Sequence, residues 1–289
     1  MELVAGATGS LGGKIVRELL RNGGTVRALA RDPGTAAGLA SAGAEVVGGN
    51  LRDPASLEAA CRGVDTVIST ASATRRSDDT PENVDHLGTR NLVDAARRAG
   101  VRRFVYVSTL GADPASPVPA FQAKGNAEAH LRASGLDWII LQPDAFMDVW
   151  FGMLIELPVA MGNPVSLIGE SNGRHSFIAE ADVARFAAAA ARDAGTVNTT
   201  LALGGPAAVT FADAVKAYEA ALGRSIPVER LPVGAMLPGL PESVSAIAAA
   251  FGSFESIVPM HGTSARYDVP LTSVEAFARE RAAAGFGGA

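Results

Sequence analysis

Apolar residues in the first half of the chain come in two alternating textures. Short β-branched runs at 3–5, 25–30, 45–47, 66–69, 103–107 and 138–141 read as strands. Between them apolar positions recur at helical spacing, as in Leu11, Ile15, Val16, Leu19 and Leu20, and again around Leu92, Ala95 and Ala96. This strand–helix alternation predicts an α/β fold, a Rossmann-type doubly wound parallel sheet over 1–145. After Pro143 the texture shifts to an aromatic and methionine-rich run of Phe146, Met147, Trp150, Phe151, Met153 and Leu154. Prolines at 227, 232, 238, 241, 259 and 270 then cut the chain into short pieces. A smaller substrate-side region over 146–289, integrated with the first domain rather than freely linked, is expected, with a frayed tail at 285–289.

Composition narrows the class of function. Hydrophobic residues make up 48% of the 289 and charged residues 19%, as in a globular protein. A net charge of -5 and a pI near 5.5 speak against a nucleic-acid partner, which needs a basic face. Cys61 is the single cysteine, so neither an intrachain disulfide nor a cysteine zinc site can form, and a reducing cytoplasm is the expected location. It reads as a small buried hydrophobe rather than a nucleophile. Glu2 leads at once into Leu3, Val4 and Ala5, so no export signal is expected. The most apolar stretch, 149–161, is short for a bilayer and contains Glu156 and Pro158, so no membrane span is expected either.

The strongest chemical motif is Gly6-Ala7-Thr8-Gly9-Ser10-Leu11-Gly12, between a strand and an amphipathic helix. Gly6 permits a tight turn, Gly9 close approach of a pyrophosphate, and Gly12 close packing of helix on strand, with free N–H groups at the helix start. A dinucleotide is therefore expected. The second strand ends in Ala30-Arg31 rather than in a carboxylate, so nothing there repels a 2′-phosphate and Arg31, helped by Arg27, can pair with it. That favours NADPH over NADH, against the alternative of a solvated surface arginine. Asn50 and Leu51 suit an adenine edge, and Asp53 a helix cap. Ser69, Thr70 and Ala71, and Ser108 and Thr109, end two strands at the edge where ligands of such sheets bind.

Together with Asp85 to Ala96, Phe104 to Thr109, Phe121-Gln122-Ala123-Lys124, Pro143, Ala145 to Met147, Ser176 to Ile178 and Asp182 to Ala184, these residues resemble the NmrA-like branch of atypical short-chain dehydrogenase/reductases. The resemblance covers nearly the whole chain and is specific for the family, not for a substrate. It implies a cofactor-binding role for Pro143 and a nicotinamide-ribose contact for Lys124. Family members with full dehydrogenase chemistry carry a tyrosine four residues before that lysine, where this chain has Ala120. Lys124 is then either the remaining acid, with Ser108 or Thr109 positioning the acceptor, or a surface lysine paired with Glu128. A second departure is Gln142, where relatives often have arginine.

Phe121, Phe146, Met147, Trp150 and Phe151 either form an apolar wall for an aromatic or quinone-like substrate or are ordinary core. The four histidines lack metal-ligand spacing, so no metal is expected and each is assigned a solvated or capping role. The expected activity is NADPH-dependent reduction of a quinone, enone or aromatic ketone. A partner-binding NADP(H) sensor without turnover, and a cyclising or coupling enzyme of aromatic secondary metabolism, are the alternatives. Homodimerisation is a family-level expectation only.

Overall fold

In the computed structural model the chain is described at residues 1–73, 78–193, 195 and 197–286, with the Ser243 side chain set aside. Of the expected frayed tail, 287–289 lie outside the described residues. Elements run β1 (Glu2–Ala5), α1 (Ser10–Arg21), β2 (Val26–Ala30), α2 (Ala37–Ser41), β3 (Glu45–Gly48), α3 (Pro54–Cys61) and β4 (Thr66–Ser69). They continue α4 (Leu87–Arg98), β5 (Arg103–Val107), α5 (Pro119–Arg132), β6 (Asp137–Pro143), α6 (Met147–Phe151), α7 (Leu157–Ala160) and β7 (Val165–Ile168). Last come α8 (Glu180–Arg192), β8 (Thr199–Leu203), α9 (Phe211–Leu222), β9 (Val228–Leu231), α10 (Glu242–Phe251), α11 (His261–Tyr267) and α12 (Val274–Ala283).

The main sheet is ordered β3-β2-β1-β4-β5-β6-β8, with parallel pairing from β3 through β6. This is the expected Rossmann-type sheet, with β8 added at one edge. The six strands read from the sequence all form, their ends shifted by no more than two residues. The order reverses between β1 and β4, which opens a crevice at the carboxyl ends of the strands. Leu3, Leu57, Val67, Leu92, Phe104, Leu131 and Ile140 are among the residues packed in the core between helices and sheet.

The chain divides into two compact units, Met1–Pro143 with Val183–Ala202, and Asp144–Asp182 with Leu203–Ala289. The expected division near 145 falls beside the first crossing, but the chain returns to the first unit for twenty residues before leaving again. Two arginines fix that return. Arg103, buried on β5, donates to the Ala190 and Ala191 carbonyls at the end of α8, where the helix dipole is negative. Arg192 donates to the Asn22 and Leu19 carbonyls at the end of α1.

The second unit has its own aromatic core, in which Phe151 packs against Phe177, Phe211, Tyr218 and Phe277. β7 and β9 pair parallel beside it. Glu156 accepts from the Tyr218 hydroxyl and from the Arg281 fork, tying α9 and α12 to the wide turn after α6. His175 departs from the expected solvated or capping role. It is fully buried, with Nδ1 2.7 Å from the Ser256 hydroxyl and Nε2 2.8 Å from the Phe251 carbonyl, because its β-bridges carry it beneath three phenylalanine rings.

Candidate functional site

The glycine turn is closed so tightly that side chains are excluded. Gly6 has φ +82°, and a Cβ there would lie 2.8 Å from Thr70 Oγ1 and 2.9 Å from the Ala71 nitrogen. A Cβ on Gly12 would lie 2.1 Å from the Gly6 carbonyl oxygen, and one on Gly9 3.1 Å from it. Gly9 caps α1 without a side-chain bond, and the first turn of α1 carries no acidic residue. Thr8, Ser10 and Leu11 stand around N–H groups that the helix itself does not satisfy. The cradle fits a pyrophosphate: backbone donors, positive helix end, no Cβ in the way.

Beside it, β4 and β5 bring a buried polar cluster to the same edge. The Lys124 ammonium lies 2.9 Å from Asp85 Oδ1 and 5.6 Å from the centroid of the Tyr106 ring. Asp85 also accepts from the Ser72 hydroxyl at 2.7 Å and the Ala73 N–H at 3.0 Å, so it binds the segment after Thr70 and Ala71 as well as the lysine. Burial alone would lower the Lys124 pKa, but Tyr106 and Asp85 more than reverse this and hold the ammonium above its ordinary range. Burial in turn pushes the Tyr106 phenol up. The Ser69 and Ser108 hydroxyls are buried without hydrogen-bond partners, at the ends of β4 and β5. Thr109 remains partly exposed, its hydroxyl 3.5 Å from the Leu110 carbonyl.

The alternative pairing of Lys124 with Glu128 does not occur. Glu128 is buried and taken by Arg132 at 2.8 Å and by Gln142 at 2.9 Å, which gives Gln142 a role: its amide donates to the Glu128 carboxylate. The sequence alone does not mark Asp85 as a site residue, although it opens the 85–96 motif. The signal that points to it is an acidic residue preceding a helix whose start is offset by a wide turn.

At the turn after β3, Asn50 is exposed and its Oδ1 accepts from the Arg52 N–H at 3.0 Å. Leu51 packs on the start of α4, with its carbonyl accepting from Asn91 at 2.9 Å. Asp53 caps α3 as expected, accepting from Ala55 N–H at 3.1 Å. Arg31 is half-exposed and held by Asp79 at 2.9 Å. Arg27 is not its helper, since it donates to the Ala60 and Arg62 carbonyls and pairs with Glu45. Pro143 is buried, its carbonyl accepting from Leu110.

Of the expected apolar wall, Phe121 belongs to the first unit and is exposed. Met147 and Phe151 are completely buried in the core of the second unit, whereas Phe146 and Trp150 keep some surface. Cys61 is fully buried, and its thiol is pushed up to about 11 by burial, which Arg27 offsets only in part. It is no nucleophile. Among the described residues no cluster of histidine, cysteine or carboxylate side chains is placed to hold a metal ion, and no helix is long and apolar enough to cross a membrane.

The family model described as NAD(P)H-binding matches residues 6–194, from the glycine turn to just beyond α8. The chain belongs to the NAD(P)H-binding family. Within that family it is of the NmrA-like, atypical short-chain reductase type, as its motifs imply. Among curated NAD(P)H-binding relatives, an NAD(P)H azoreductase of Xenophilus azovorans is 33% identical over 85% of this chain and 84% of its own. A photosystem II assembly factor of Synechocystis sp. is 32% identical over 81% of this chain and 71% of its own. An NADPH-dependent quinone oxidoreductase from Escherichia coli, solved with NADPH, shares the fold with a TM-score of 0.78 at 24% identity, over 97% of this chain and 99% of that one. A Citrobacter sp. triphenylmethane reductase solved with NADP(H) gives 0.80 at 22% over the same shares.

Proposed function

We propose that this chain is an NADPH-dependent reductase that passes hydride to a quinone, enone or aromatic ketone. The observation that carries the reading is the buried Lys124 ammonium, anchored by Asp85 and set over the Tyr106 ring of β5, the strand that leads into the unpartnered Ser108 hydroxyl. When bound, NADPH supplies the hydride. The glycine cradle would hold the pyrophosphate, and Lys124 would hold the ribose and stabilise charge on the acceptor oxygen. Because this ammonium keeps its proton, it acts as an electrostatic partner rather than as a proton donor. A quinone tolerates that best, since hydride addition leaves a hydroquinone anion that is stabilised by its ring and takes its proton from water rather than from a protein acid. Ser108 and Thr109 orient the acceptor by hydrogen bonding.

One relative is named an assembly factor, and Ala120 stands where dehydrogenases carry tyrosine, which together favour a second reading: an NADP(H) sensor that binds a protein. NADPH oxidation at 340 nm against a panel of quinones, enones and aldehydes, with nucleotide fluorescence from the same samples, separates the two. Turnover is the expected result. Binding without turnover on any acceptor transfers the assignment to the sensor, and absence of binding removes both.

A further inference from the structure

Two arginines from neighbouring strands converge on one enclosed carboxylate. Arg31 follows β2, Arg52 follows β3, and these strands are adjacent and parallel. Arg31 Nη1 lies 2.9 and 3.1 Å from the two oxygens of Asp79, and Arg52 Nη2 lies 2.7 Å from one of them. The Asp79 side chain is only 2% exposed. Its backbone is fixed from both sides. The Asp78 carbonyl accepts from Arg52 at 2.7 Å and from Asn83 at 2.9 Å, and Thr80 N–H donates to Asn83 at 2.9 Å within the capping box of the following helix.

Two guanidinium groups converging on Asp79 make an anion site whose anion the chain itself supplies, and the exposed Asp78 carboxylate, 2.8 Å from Arg52 Nη1, holds the other arm of that fork. Resting on the reading of the cofactor as NADPH, we infer that Arg52 joins Arg31 in recognising the 2′-phosphate and that Asp79 occupies this subsite until the phosphate replaces it. Arg52 is adjacent to Leu51 and binds Asn50 through its N–H, so it stands at the turn assigned to the adenosine end. A 2′-phosphate near neutral pH carries up to two negative charges and three acceptor oxygens against the one charge and two oxygens of Asp79, so it wins the arginines. NADH brings no such group and leaves the Asp79 pairs in place. Asp79 is thus a specificity-determining residue: it weakens every anion at this point, and only a phosphomonoester overcomes it.

Calorimetric titration of NADPH, NADH, 2′,5′-ADP and 5′-AMP into the wild-type chain, Asp79→Asn and Arg52→Gln tests this. Asp79→Asn is expected to tighten NADPH and 2′,5′-ADP about tenfold and to leave NADH and 5′-AMP unchanged. Arg52→Gln is expected to weaken the two 2′-phosphorylated ligands about tenfold, again without effect on the others. Arg52→Lys, which keeps a cation for Asp79 but loses the fork, falls between, and thermal melts identify any variant that fails to fold. Equal changes for NADPH and NADH in Asp79→Asn overturn the inference, as does selective weakening of NADH, which would make Asp79 a ribose ligand. Unaltered NADPH binding in Arg52→Gln overturns it too. Wild-type protein that binds NADH but not NADPH, or neither, instead removes the cofactor reading on which it rests.

Discussion

Lys124 is a cation that its surroundings do not allow to discharge. Desolvation favours loss of the proton, yet Tyr106 and the Asp85 carboxylate at 2.9 Å favour keeping it, and together they outweigh desolvation. A lysine whose folded value lies above the ordinary 10.5 contributes its pairing in full below that pH and loses it as pH rises through the raised value. The difference in unfolding free energy between wild type and Lys124→Met should therefore be flat from about pH 6 to 9 and change only above about pH 10. Urea unfolding across that range checks it. A step near neutrality would mean a lysine poised to donate protons, contrary to the electrostatic role assigned above.

At the scale of elements, the turn before α4 does the positioning. Residues Pro81–His86 form a wide, five-residue-spaced turn opened by the Thr80–Asn83 capping box, and Asp85 sits within it. The insertion rotates Asp85 inward to meet Lys124 on α5, thirty-nine residues later. Such a pair has no local period, which is why the 85–96 motif was legible but the partnership was not. Strands announced themselves by β-branching, and the glycine turn by its flanking strand and helix. Arg31 was legible as a residue type, whereas Asp79 opposite it was not, since only the tertiary structure brings β2, β3 and the segment after β4 together. Asp85→Ala leaves the Lys124 ammonium buried without a counter-charge and releases Ser72 and Ala73 N–H. The expected cost is about 3–5 kcal/mol in chemical denaturation. A loss below about 1 kcal/mol would show that water or another group replaces the carboxylate.

At the scale of the whole molecule, the decisive feature is the return of 183–202 to the first unit. Sequence texture placed a division near 145 because aromatic and methionine residues begin there; it could not show that α8 and β8, an alanine-rich helix and a short strand, belong with the sheet. Their attachment is chemical as well as geometric. Arg103 is 1% exposed, and its guanidinium finds acceptors in the Ala190 and Ala191 carbonyls. A chain cut after residue 145 removes both acceptors, the β8 strand beside β6 and the Arg192 bonds to α1, and bares the apolar sheet face that α8 covers around Arg103. Exposing such a face costs several kcal/mol, comparable to the whole stability of a small domain. Residues 1–145 expressed alone are therefore expected to lack a cooperative thermal transition, whereas the full chain unfolds cooperatively. Restoring 183–202 through a short linker after Pro143 should recover the transition. A fragment 1–145 that melts cooperatively with Arg103 intact would mean that the sheet closes without α8, and that the return of the chain serves another purpose.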